Sequence, residues 1–161
     1  FFHKSKIKKI LKVFQKNKKV NFVQNLPYIK GKKKLKKSNK NNPMSFWPYL
    51  APESCISFRK KFMIDFLRVN KKYLNKFENV WMGFRMGVYS FFNQESFFTL
   101  SENLTFYESL GESKKYQFLG KNWFKRRNDS FDYLKKILKG SMSLNYNLDY
   151  LITKFLTNFY K

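Results

Sequence analysis

Apolar positions recur at helical spacing near both ends of the chain, and its middle carries shorter aromatic runs. From His3 to Val20, Ile7, Ile10, Leu11 and Phe14 recur at i, i+3, i+4 and i+7 with lysines between them, which predicts a short basic helix with one apolar face. From Ile56 to Leu74, Phe58, Phe62, Phe66 and Tyr73 stand near the same spacing with Met63, Leu67 and Leu74. Arg59, Lys60, Lys61, Arg68, Lys71 and Lys72 fall between them, so a second helix with a basic outer face is predicted. Val80 to Tyr89 and Ser96 to Leu100 are rich in aromatic residues and flank a polar connection at Phe92 to Glu95, the pattern of a β-hairpin. Gly83 and Gly87 in the first of these runs point to a bulge or a close backbone approach.

Ser101 to Leu110 has Ser101 at an N-cap position, Glu102 in the first turn where it suits the helix dipole, and Gly111 after the end, so a helix is expected there. Two further helical patterns close the chain. Phe131, Leu134, Ile137 and Leu138 share a face between Asp129 and Lys139, with Gly140 after them; Leu148, Leu151, Ile152, Phe155, Leu156 and Phe159 do so between Asn147 and Tyr160. Together they predict a helical hairpin, whose two stripes call for a neighbouring protein or the rest of the chain to cover them.

Between the first two helices, Asn25 to Asn42 holds Pro27, Gly31 and a lysine run followed by Ser38, Asn39, Lys40, Asn41 and Asn42. Such a stretch buries too little apolar surface to offset the entropy of ordering it, so alone it is expected to be disordered. A nuclear localisation signal is the rival reading of the run. The pattern as a whole predicts helices before and after a short β-hairpin. Three regions follow: a basic N-terminal extension (1–42), a central domain (43–121) and a helical C-terminal extension (122–161).

Charge narrows the function. The 34 Lys and Arg residues against 10 Asp and Glu leave a formal charge of +24, and a compact body so charged repels itself unless a polyanion neutralises it. Nucleic acid and an anionic membrane surface both qualify. A spanning helix needs about 20 apolar residues in a row, and the apolar stretches here are broken by Lys, Arg, Asn or Glu, so no membrane span is expected.

Cys55 and His3 are the only cysteine and histidine, which removes structural zinc frameworks, intrachain disulfides, and Ser-His-Asp or Cys-His catalysis. No cofactor or metal is expected. Ala51 is the sole alanine, while Phe, Tyr, Lys and Asn abound, the codon record of an AT-rich genome; an organelle is the reading taken, with an AT-rich nuclear genome as the alternative. Residues 1–20 use Lys where a mitochondrial presequence is Arg-rich, and are read as part of the mature chain.

The central block resembles a known family, the small-subunit ribosomal proteins numbered nineteen. Gly83, Phe84, Arg85, Met86, Gly87, Val88 and Tyr89 stand where that family has its strand G-L-T-F-x-V-Y/H-N-G. Phe97, Phe98, Thr99, Leu100, Ser101, Glu102, Asn103 and Leu104 are similar to its second strand and the continuation of it. Leu110, Gly111 and Glu112 match Leu-Gly-Glu, Phe118 and Gly120 match Phe-Arg-Gly, and Ser45, Phe46 and Trp47 look like Ser-x-Trp. The departures are Pro48, Tyr49, Leu50 and Ala51 for Lys-Gly-Pro-Phe, Ser90 and Phe91 for the Asn-Gly turn, Tyr107 for a histidine, and Leu119, Gly120 and Lys121 for Arg-Gly-His.

The resemblance spans less than half of the chain. It implies an α+β fold, a small antiparallel sheet with a preceding helix, in a structural, non-enzymatic protein of the small subunit of a mitochondrial or plastid-type ribosome. Such a protein binds the 3′ major domain of the rRNA in the subunit head, beside the small-subunit protein numbered thirteen.

RNA of this kind is recognised by shape, phosphate contacts and stacking on unpaired bases. Candidate RNA-contacting residues are Lys32, Lys33, Lys34, Lys36, Lys37, Trp47, Lys71, Lys72, Arg85, Lys114, Lys115, Lys121, Lys125, Arg126 and Arg127. Tyr116, Trp123 and Phe124 are further stacking candidates, while Phe62, Phe66, Trp81 and Phe84 are assigned to the core. Two rivals remain: a homing endonuclease or maturase, which needs clustered acids absent from this sequence, and an accessory subunit of a membrane complex.

Overall fold

The computed structural model describes residues 1–31, 50–73, 75–93, 96–108, 117, 119–137 and 147–159. Its elements are helices α1 (Lys6–Lys16), α2 (Lys60–Asn70), α3 (Met82–Asn93), α4 (Lys121–Ile137) and α5 (Leu148–Phe159) and strands β1 (Phe22–Ile29), β2 (Ile56–Phe58) and β3 (Phe97–Tyr107). The fold is α+β, with helical regions at both ends. The chain divides into two compact units, the first built from α1, α2, α3 and the sheet, the second from residues 71–81, α4 and α5.

In the first unit β1 is the central strand, in the order β2-β1-β3. It runs antiparallel to β2 and parallel to β3, so the sheet is mixed where an antiparallel one was expected. Side chains alternate across a strand, and β1 therefore serves two cores. Phe22 packs with Phe62 and Phe66 of α2 and Met86 and Tyr89 of α3. Val23, on the opposite face, packs with Ile10 of α1 and Val20.

A strand covered on both faces loses the polar-apolar alternation that marks a half-exposed one, which is why Asn25 to Ile29 read as part of a disordered stretch. Proline cannot donate to a sheet ladder and is uncommon in a central strand. Pro27 is accommodated at an irregularity: the pairing with β3 shifts register between Asn25 and Leu26 and again between Leu26 and Pro27. Residues 32–42 of the expected extension lie outside the described residues.

Three other expectations are corrected. Val80 to Tyr89 is not the first strand of a hairpin, since Met82–Asn93 form helix α3. Its glycines do mark a close approach, but by side chains and not by backbone: Gly83 and Gly87, four apart, share one helix face, which Glu53 and Leu50 meet. A Cβ on Gly83 would lie 2.7 Å from Glu53 Cγ, and one on Gly87 2.4 Å from Leu50 Cδ2. Likewise Ser101 to Tyr107 are not helical but continue β3, where pairing with β1 outweighs the local N-cap signal. Ile56–Phe58 also form a strand, so α2 begins only at Lys60.

Arg59 fixes the end of α1 beside the sheet. Its guanidinium donates to the Phe14 carbonyl at 2.5 Å and to the Val20 carbonyl at 2.9 Å, and lies 4.8 Å from the centre of the Phe14 ring. Phe14 is in the last turn of α1, where carbonyls have no partner within the helix.

In the second unit, Tyr73 and residues 75–81 run antiparallel along one side of α4. Tyr73 and Phe77 both meet the Tyr133 ring edge-on, and Asn79 donates to Asp129 at 3.0 Å. On the other side Phe131 packs against Tyr150 of α5, and Arg127 pairs with Asp149. This is the expected helical hairpin, with α4 beginning eight residues ahead of Asp129. Asn147 caps α5, its side-chain oxygen accepting the Tyr150 N–H at 2.9 Å. Among the described residues no helix is long and apolar enough to cross a membrane.

Candidate nucleic-acid interface

The second unit gathers most of the candidate contacts that the structure describes. Lys71, Lys72, Lys121, Lys125, Arg126 and Arg127 all belong to it. Lys71 and Lys72 precede Tyr73, which packs on Tyr133, whereas Lys121 and Lys125 are exposed on the first turns of α4. A residue rise of 1.5 Å puts Arg126 and Tyr133 about 10 Å apart along the helix. The cations thus extend along the helix rather than meeting at a point, the arrangement that suits a line of phosphates.

At the N-terminal end of α4 two arginines lie over two tryptophans. The Arg126 guanidinium is 4.3 Å from the centre of the Trp81 ring, and that of Arg127 is 4.7 Å from the centre of the Trp123 ring. They differ in what else surrounds them. Arg127 also pairs with Asp149 and reaches Thr153 at 3.5 Å, and Trp123 is half-buried, so this pair belongs to the packing of α4 on α5. Trp81 is 58% exposed.

Trp81 was assigned to the core from the sequence, and the structure corrects that assignment. Phe62 and Phe66 are buried as expected, and Phe124, a stacking candidate, is buried as well. No local signal in the sequence marks Trp81 as exposed: it follows a turn at 75–80 and stands at the junction with α3, and both are features of the folded chain.

Arg85 is also placed differently. It lies on helix α3 and not on a strand, and at 3% exposure its guanidinium is not presented to a phosphate. Lys32, Lys33, Lys34, Lys36, Lys37, Trp47, Lys114, Lys115 and Tyr116 lie outside the described residues.

The first unit adds cations that the candidate set omitted, with Lys8, Lys12 and Lys16 exposed on α1 and Lys60, Lys61 and Arg68 exposed on α2. Their helical spacing made them legible as a solvated basic face, and the aromatic residues between those of α2, Phe62 and Phe66, are buried and mark no site.

Beneath α1 lies a buried polar cluster. Lys6 Nζ donates to the Ser54 carbonyl at 2.5 Å and to Thr105 Oγ1 at 2.9 Å, and Asn25 Nδ2 donates to the same hydroxyl at 3.1 Å. Cys55 is fully buried beside them. Burial pushes the Lys6 ammonium below its ordinary pKa, partly offset by the nearby Cys55 thiolate form. It pushes the Cys55 thiol up, with hydrogen bonds from Thr105, Tyr107 and Asn25 and the charge of Lys6 acting in the other direction. A thiol held protonated and out of solvent is a poor nucleophile and a poor ligand, so the cluster is structural. Among the described residues no group of three or more His, Cys, Asp or Glu is placed to hold a metal ion.

Comparison with protein-family models, with curated proteins and with solved structures finds no match to this chain.

Proposed function

We propose that this chain is an RNA-binding structural protein, a constituent of the small subunit of an organellar, mitochondrial ribosome, and that it catalyses nothing. The observation that carries the reading is the second unit's line of exposed lysines beside an exposed, arginine-backed tryptophan, on a chain whose formal charge is +24. Cations for phosphate and a ring for a base are the two elements of sequence-tolerant RNA binding.

The mitochondrial setting rests on the codon record in the composition. Placement in the subunit head, on the 3′ major domain beside the protein numbered thirteen, rests on the resemblance to the nineteen family. Phe97 to Leu100 lie in a strand as that pattern asks, whereas Gly83 to Tyr89, which it makes a strand, are helical and lend it nothing.

The test is sedimentation from an organelle extract at high salt, followed by crosslinking. Comigration with the small subunit and crosslinks to its rRNA are expected. Cofractionation with detergent-extracted membranes, and absence from ribosomal particles, would overturn the proposal in favour of an accessory subunit of a membrane complex. The exposed apolar stripe of α5, which includes Leu151, Phe155 and Phe159, is the feature that favours that second reading.

A further inference from the structure

Trp81 carries a more specific inference. Arg126 covers one face of its ring at 4.3 Å, yet the residue remains 58% exposed, so the opposite face is open to solvent. The hydrogen bond from Asn79 to Asp129 fastens the segment to α4 just before Trp81, so the ring is held by the fold and does not swing from a loose loop. Lys125 is exposed, adjoins Arg126 and lies one turn before Asp129, which puts it at the edge of the same side of α4. Trp123, by contrast, is half-buried, and the Arg127 over it also pairs with Asp149 of α5.

An open ring face, a cation behind it and a second cation beside it match one ligand chemistry, a nucleobase with its 5′ or 3′ phosphate. Bases within a duplex have both faces stacked, so only an unpaired base can take the position. Resting on the RNA-binding reading above, we propose that Trp81 is a stacking platform for an unpaired nucleobase of RNA, with Lys125 meeting the adjoining phosphate. Because every base has a π-face, the platform selects single-stranded over paired RNA and not one sequence over another.

The experiment uses the full chain, a single-stranded RNA carrying one 2-aminopurine, and a fully paired duplex of the same length. Stacking quenches the 2-aminopurine fluorescence of the bound single strand. Trp81→Leu lowers affinity for the single strand by roughly 5- to 150-fold, leaves the duplex within about twofold, and abolishes the quench; Trp81→Phe restores most of both. Binding of the single strand by the unaltered chain with no quench overturns the inference without calling on any variant. So does an equal loss on both RNAs in Trp81→Leu, or no loss on the single strand; in each case the broader RNA-binding reading stands. Failure of the unaltered chain to bind either RNA overturns both.

Discussion

Glu53 and Gly83 are joined twice: the carboxylate accepts the Gly83 backbone N–H at 2.9 Å, and its Cγ fills the space that a Cβ on Gly83 would need. The contact places a negative charge at the N-terminal turn of α3, where the helix dipole favours it. Gly83→Ala is expected to destabilise the protein by about 1–3 kcal/mol, because the clash displaces the carboxylate from its hydrogen bond. In a Glu53→Ala background the same change becomes neutral or stabilising, since alanine exceeds glycine in helix propensity by about 1 kcal/mol. Denaturant midpoints of the four chains measure this, and additive losses would refute it.

Arg59 ties α1 to the sheet through two backbone carbonyls and one ring. Arg59→Ala is expected to cost about 1.5–3 kcal/mol in chemical denaturation, the range for hydrogen bonds with a charged partner. Arg59→Lys should recover less than half of it, because a single ammonium cannot span the Phe14 and Val20 carbonyls as a planar fork does. Full recovery by lysine would mean that charge alone is what α1 requires.

The buried cluster beneath α1 sets an alkaline dependence whose parts oppose one another, the raised Tyr107 hydroxyl acting in the same direction as the Cys55 thiol and Lys6 against them. The Cys55 thiol is raised above its ordinary 9.0, so its contribution to stability is present in full below pH 9.0 and is lost as pH climbs towards the raised folded value. Lys6 is lowered from 10.5, so burying its charge weakens the fold at neutral pH, and that weakness is relieved as pH rises from the lowered value towards 10.5. Replacing Cys55 by alanine removes the thiol's part and, with it, the thiolate that partly offsets the lowering of Lys6, and both changes act in the same direction. Stability of Cys55→Ala, followed by urea denaturation above pH 9, is expected to fall less steeply than that of the unaltered chain; parallel slopes would remove Cys55 from the account.

Binding to RNA is expected to weaken steeply with salt. If 6 to 10 cations meet phosphate, affinity falls by roughly 10³ to 10⁵ between 50 and 200 mM salt, as read by filter binding. Within that dependence Lys121→Gln and Lys125→Gln should each reduce the slope by about one. An interaction indifferent to salt would place the contact on apolar surface instead.

Local signals were legible where one face of an element meets solvent. The stripes of α1 and α2 and of the α4–α5 pair follow from 3.6-residue spacing, and each lies where that spacing put it to within a turn or two. The Gly83 and Gly87 pair announced a close approach correctly, although the element approached is a helix. The candidate site was legible in part: its cations were named, while Trp81 was assigned to the core and Arg85 to an exposed strand position.

The sequence by itself determined the charge and the helices at both ends, because these depend on composition or on neighbours within a turn. Only the tertiary structure decided that Phe22–Ile29 is the central strand, that Ser101–Tyr107 extends β3, and that Trp81 stays exposed with Arg126 behind it. Strand pairing joins residues such as Val23 and Phe98 across most of the first hundred positions, and a strand buried on both faces carries no alternation to betray it. Whether a ring is covered depends, in the same way, on what the rest of the chain brings beside it.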